Sequence, residues 1–443
     1  MITTFLQDYL LISNWETILF LGLLVVGVGL IYWLDKKEVN FTKILLLSML
    51  IGAGIGLLGN FMINQNPSVS KQVSGWYGLI GYGYMDLLKM IVLPLVFLSM
   101  IRVIITTKKD FKRLALKTVG VLAFTTAIAA IVTIIIAMLI PSAQLLPEVV
   151  NQEGTIREVG TFITTLRSMI PNNIADIFVK GNILAIIVLA FLIGVSLKSF
   201  EDKKEVQSVI DFIEASFKIV RQLAIMIMDF MPYALIPLLA NILITQGGST
   251  LLSALNFIVI LYIGIIVMLI IHLILVKLTG RSIKEYILAV REPLMLAFTS
   301  RSSLGTLPVT IEAMTNKLHL PAGLSDLVGS FGANMGMNGC AGIYPTLVVI
   351  ALATMLHIPM DISFFVTLVF VVVLGSFGIA GIPGAATMSV AVVLTGMGLV
   401  EYYPLLGVIL AIDPILDMGR TMLNVNGTIV AGVVVDRLEK NNK

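Results

Sequence analysis

The sequence predicts an all-α polytopic membrane protein, on three observations. Hydrophobic residues make up 58% of the chain and charged residues only 12%, where a soluble domain carries about 25% charge. Apolar runs of spanning length recur from Thr17 onward, and roughly 20 such residues cross a bilayer core. In the last third these runs are interrupted by glycine, proline and small polar residues, a pattern tolerated at membrane depth only where backbone is buried in protein or lines a cavity.

The totals also exclude several classes. The net charge of +3 comes with no basic run or aromatic ladder, so nucleic acid is not an expected partner. The single cysteine, Cys340, rules out an intrachain disulfide, and His272, His319 and His357 lack metal-ligand spacing. No cofactor and no metal site are expected. No nucleophile–base constellation or phosphate loop points to an enzyme.

In chain order, the first apolar run, about Thr17 to Trp33, follows an acidic leader (Asp8, Glu16) without a small-residue cleavage site, so it reads as a spanning helix. Asp35, Lys36 and Lys37 come next, which by the positive-inside rule puts the amino terminus outside and the carboxy terminus in the cytoplasm. Further spans are predicted at about Phe41 to Ile63, Tyr82 to Ile105 and Leu116 to Ile140, with Lys108, Lys109, Lys112 and Arg113 marking the cytoplasm. A polar loop from Pro141 to about Lys180 precedes the run Asn182 to Leu197. One helix is expected over about Val206 to Ile244 and another over Leu251 to Leu278.

After Lys284 the pattern changes. The run Leu294 to Phe298 stops at Thr299 to Pro308 and resumes toward Met314, which reads as a re-entrant helical hairpin. A span expected from about Leu324 to Met355 is broken by Gly332 to Gly342, whose glycines and asparagines weaken a helix interior. Phe364 to Leu374 stops at Gly375 to Ala385 and restarts to Leu399, and a final span covers about Leu405 to Val435. Hairpin then interrupted helix, twice, is the sequence signature of a transporter site built from inverted repeats.

That final span carries a polar stripe. At 3.6 residues per turn, Asp413, Asp417, Arg420 and Asn424 fall on one line with Thr421 beside it. Each ionised residue at the bilayer centre costs roughly 2.5 to 3.5 kcal/mol, so a stripe of three suggests a binding site. The competing reading is an internal salt bridge that fixes helix packing. Two aspartates and one arginine leave the stripe one negative charge in excess, and a guanidinium suits bidentate carboxylate recognition.

SRSSLGTLPVT, FGANMGMNGCAGIYP, AGIPGA and DPILDMGRTMLNVNG, in this order, resemble the dicarboxylate/amino acid:cation symporter family, the bacterial relatives of glutamate transporters. Within it they look closest to the branch that takes up L-cystine, which also has an additional amino-terminal span. The resemblance implies a glutamate-transporter-like fold with two re-entrant hairpins. It divides the chain into an extra helix over residues 1–40, a mainly scaffold and trimerisation region over 41–283, and a transport core over 284–443. The third and sixth family helices would join that core, which moves like an elevator within a homotrimer.

Residue by residue, the resemblance puts a substrate ammonium on Asp417, a distal carboxylate on Arg420, and the main amino-acid carboxylate on Asn424 and Ser303. Arg301, Ser302, Met337, Cys340, Ile382, Pro383 and Thr421 complete the implied pocket, and Gly381, Ile382, Pro383 and Gly384 form its gate. Sodium-coupled members carry aspartates where this chain has Asn338 and Thr428. A hard cation wants oxygen ligands, so losing two anionic ones favours coupling to protons, with Asp413, Asp417 and Asn338 as coupling-ion candidates. The expected function is therefore symport of L-cystine into the cell across the cytoplasmic membrane. Aspartate, glutamate or another dicarboxylate is the alternative substrate, and an ion channel the alternative class. A channel needs a pore lined by like charges or carbonyls, which a mixed-sign, hairpin-enclosed stripe suits less well.

Overall fold

A computed structural model describes residues 14–63, 66–106, 112–140, 162–379, 381 and 385–441. The described chain is helical, with no strand. Six of its helices are long and apolar enough to cross a membrane, or seven if one bent pair counts as a single span.

The first part builds a layer of long helices. α1 (Trp15–Lys36), α2 (Phe41–Ile63), α3 (Pro67–Thr106) and α4 (Lys112–Leu139) follow the predicted runs closely, except that α3 begins about four turns early. Pro67 opens it as a first-turn proline, and Val69, Val73 and Tyr77 recur at helical spacing to bury against α1. Tyr77 Oη donates to Phe20 O at 2.6 Å, and Thr17 Oγ1 to Gln72 Oε1 at 3.1 Å, so α1 is docked by buried polar contacts as well as apolar ones.

Two short helices, α5 (Phe162–Ser168) and α6 (Ile174–Val179), occupy the second half of the predicted polar loop, and residues 141–161 lie outside the described residues. So do Lys108 and Lys109. α7 (Ile183–Ser199) starts at Asn182, whose side chain caps Ala185 N. The helix expected over Val206 to Ile244 is instead two, α8 (Gln207–Asp229) and α9 (Met231–Gln246), bent by 54° at Phe230. Pro232, in the first turn of α9, lacks the N–H that a continuous helix would need. α9 packs on α2 at backbone distance. A methyl added at Gly52 would lie 2.8 Å from Ile236 O, and one at Gly56 would lie 2.9 Å from Ala240 Cα. Small residues at that spacing let membrane helices approach closely.

α10 (Ser249–Leu278) and α11 (Ile283–Ser300, capped by Ser282) lead into the interrupted region. After α11 come α12 (Leu307–Glu312), which continues as a π-helical turn, and α13 (Ala322–Gly332). A break follows, running into a π-helical stretch at Asn338–Ile343, and then α14 (Tyr344–Met355). α15 (Ile362–Gly375) and α16 (Ala385–Gly396) flank the second interruption.

The final span is also divided. α17 (Gly407–Ala411) ends at Ile412, and α18 (Asp413–Lys440) starts afresh with Pro414 in its first turn. Nearly every residue of α18 up to Asp436 is buried, against α10, α11, α13, α4 and the π-helical stretch. At its far end Arg281 binds both Leu318 O (2.7 Å) and Asp436 (3.2 Å), fastening α18 to the chain before α11.

Candidate substrate-binding site

Starting α18 at Asp413 puts the whole predicted stripe on one helix, with a carboxylate at its positive N-terminal end. Arg420 is fully buried, and its Nη2 lies 2.6 Å from Asp413 Oδ1 and 3.4 Å from Asp417 Oδ1. The salt bridge weighed from the sequence is therefore present. It leaves much unsatisfied: Nε and Nη1 of Arg420 and Oδ2 of both aspartates have no hydrogen-bond partner. Those are the donors and acceptors that a zwitterion supplies partners for. The guanidinium also sits 4.0 Å from the Tyr344 ring centroid, a stacking contact suited to arginine. Sequence reasoning missed Tyr344, although it directly follows the π-helical stretch.

The other stripe residues tie α18 to the break. Thr421 Oγ1 donates to Asp417 Oδ1 at 3.2 Å, and Cys340 Sγ to the same oxygen at 3.9 Å. Asn424 Oδ1 accepts from Gly339 N (2.8 Å) and Cys340 N (3.2 Å), while its Nδ2 donates to Cys340 Sγ at 3.0 Å. Asn424 thus satisfies amides that the helix interruption leaves open. Gly339 is required by proximity, since an added methyl would lie 2.7 Å from Arg420 Cα. Met337 is buried at the start of the π-helical stretch. Asn338 is fully buried with neither side-chain polar atom partnered.

The first serine-rich turn forms a second cluster. Arg301 ends α11 in the left-handed region (φ 54°), buried, with its guanidinium 5.6 Å from the Phe41 ring and within electrostatic reach of Asp413. Ser302 Oγ accepts from Gly305 N (3.0 Å) and donates to Gly381 O (3.3 Å), an oxygen that also accepts from Leu304 N (3.0 Å). A methyl added at Gly381 would overlap the Ala333 carbonyl oxygen and lie 2.9 Å from Ser303 Cβ. The two predicted tips therefore meet at Gly381, beside the end of α13. Ile382, Pro383 and Gly384 lie outside the described residues. Thr428 Oγ1 donates to Asn424 O at 3.0 Å.

Membrane-length helices gathered around a buried, mixed-charge site define a membrane transporter. Residues 41–438 match the family described as sodium:dicarboxylate symporter, and the chain belongs to that family. α1 precedes the matched region. Among similar proteins is the L-cystine uptake protein TcyP of Bacillus thuringiensis (strain Al Hakam), 32% identical over 93% of this chain and 92% of that one. The protein of the same name from Bacillus licheniformis is 31% identical over 95% and 94%, and that from Shouchella clausii 30% identical over 95% of each. The chain is thus a multi-pass membrane transporter and not an enzyme.

Proposed function

We propose that this transporter imports L-cystine across the cytoplasmic membrane by symport, with its amino terminus outside and its carboxy terminus in the cytoplasm. The observation that carries the reading is the buried Asp413–Arg420–Asp417 cluster, which offers unpaired atoms of both signs. L-cystine presents an ammonium and a carboxylate at each end, complementary to such a set. Relatives that match more than nine-tenths of the chain are named for L-cystine uptake. Asp417 would take the ammonium, Arg420 a carboxylate of the far end, and Asn424 with Ser303 the near carboxylate. Arg301, Ser302, Met337, Cys340, Ile382, Pro383 and Thr421 line the pocket in this reading.

The interrupted segments act as re-entrant hairpins, and Gly381 to Gly384 as the gate. Residues 284–443, with the third and sixth family helices, move as a transport core against a scaffold drawn mainly from residues 41–283, in a homotrimer. Coupling is to protons, because Asn338 and Thr428 supply no negative oxygen for a hard cation. A dicarboxylate or acidic amino acid is the second reading, favoured by the free Nε and Nη1 of Arg420 and by the family's description. Competition decides between them: unlabelled cystine should displace labelled cystine from the reconstituted transporter, and aspartate and glutamate should not. Displacement by aspartate or glutamate at lower concentration than cystine would reverse the assignment.

A further inference from the structure

A second buried polar cluster lies beyond the candidate substrate site, on the neighbouring face of α18. His272 of α10 is fully buried, and its Nδ1 is 2.9 Å from Asn426 Nδ2. Tyr286 Oη of α11, also buried, donates to Asn426 Oδ1 at 2.8 Å. An amide nitrogen can only donate, so His272 Nδ1 is the acceptor and the ring proton sits on Nε2. That Nε2 has no partner. The ring lies against Gly427, where an added methyl would meet His272 Cε1 at 3.4 Å and overlap Asn338 Oδ1. An unpartnered buried donor and an unpartnered buried amide therefore flank the same glycine.

The surroundings are uncharged. From α18 the ring meets Asn426 and Gly427, and Asn338 of the π-helical stretch also lies against Gly427. Tyr286 is the one titratable group in the relay. On α4 the buried hydroxyls Thr118, Thr125, Thr126 and Thr133 are bonded to carbonyls of their own helix. On α9 the buried polar side chain is Asn241, and α17 is wholly apolar. The charged residues of α18 nearest Gly427 are Arg420, about two turns before it, and Asp436, about two and a half turns after. α10 has Lys277 in its last turn, and α11 carries Lys284, Glu285, Arg291 and Glu292 at exposed positions.

We propose that His272 is the proton-binding site of this symporter, with Asn426 as the amide that reports its state; this rests on the proton-coupled reading. A proton from the outer aqueous phase forms an N–H bond at Nδ1. The Asn426 amide then turns over, so that Oδ1 accepts from Nδ1–H and Nδ2 donates to the Tyr286 oxygen, whose own proton rotates away. On the inner side the Nδ1–H bond breaks and the proton returns to water.

Asp413 and Asp417 are balanced by the buried Arg420 and Arg301, and cystine carries no net charge, so the imidazolium adds the one positive charge that travels with the substrate. The site also has a physical connection to the substrate residues. Asn338 immediately precedes Gly339 and Cys340, whose amides bind Asn424.

The test uses the full-length protein in liposomes, with membrane potential clamped at zero and labelled cystine as substrate. One proton per substrate predicts about tenfold accumulation per unit of inward-acid pH gradient. His272→Gln should bring that ratio close to one, while cystine counterflow at equal pH continues at reduced rate. Tenfold accumulation in both proteins overturns the assignment of His272 but leaves proton coupling standing. A wild type that ignores the pH gradient and follows sodium overturns the proton-coupled reading, and His272 with it. If His272→Gln shows no counterflow, Tyr286→Phe decides: the proposal requires a shifted pH for half-maximal uptake, and an unchanged profile refutes it.

Discussion

Arg420 is fully buried and pairs with two buried aspartates. With its guanidinium removed, Asp413 and Asp417 remain buried without their ion pair, and breaking such a pair costs about 3 to 5 kcal/mol. Arg420→Ala should therefore abolish cystine uptake and also lower the melting temperature in detergent. Adding Asp413→Asn to Arg420→Ala should recover part of the stability and none of the transport, which separates folding from binding; recovered uptake would remove Arg420 from the site. Arg420→Lys keeps the charge but loses the fork and the stacking on Tyr344, so its cystine affinity in a binding assay should fall about tenfold or more. The charged stripe was legible in the sequence because ionised residues stand out in an apolar run. Tyr344, Tyr286 and His272 were not, because one aromatic or imidazole in a membrane helix has no distinctive neighbours until another helix is packed against it.

At the scale of elements, the interruptions matter more than the helices. The π-helical stretch presses on α18 so closely that a methyl at Gly339 would strike backbone rather than a movable side chain. Gly339→Ala should destabilise the protein by about 1 to 3 kcal/mol and impair uptake. Gly29→Ala, with nothing within 4 Å on exposed α1, should be neutral for both; equal effects in melting and uptake assays would refute the close-packing account. The glycine-rich breaks were readable in advance, while those at Phe230 and Ile412 were not. At both points the apolar run resumes at once after a single aspartate, Asp229 or Asp413, and Pro232 and Pro414 are equally at home in the first turn of a new helix. The early start of α3 escaped notice because residues 67–81 are too polar to read as a span, yet their apolar face recurs at helical spacing.

For the whole molecule, the coupling ion is the property that the site's charge balance controls. Replacing sodium with choline should leave cystine uptake unchanged, and acidifying the outside should raise it; a sodium requirement in transport assays would reverse the conclusion drawn from Asn338 and Thr428. The added helix α1 has a structural part. Tyr77→Phe removes one buried hydrogen bond to Phe20 O and should cost about 1 kcal/mol of stability without altering cystine affinity, as thermal melting and equilibrium binding would show.

The membrane setting, the order of the apolar segments, the glycine-rich interruptions and the line of charges on the last helix were all determined by the sequence alone. Each follows from local composition or from the 3.6-residue period, and neither needs a second segment of chain. Only the tertiary structure decided that Asp413 holds Arg420 beside Tyr344, that Asn424 satisfies the open amides of the break, and that His272 meets Asn426 beside Gly427. Those pairings join residues far apart in the chain, and hydrogen-bond valence and close packing are completed only when their helices come together.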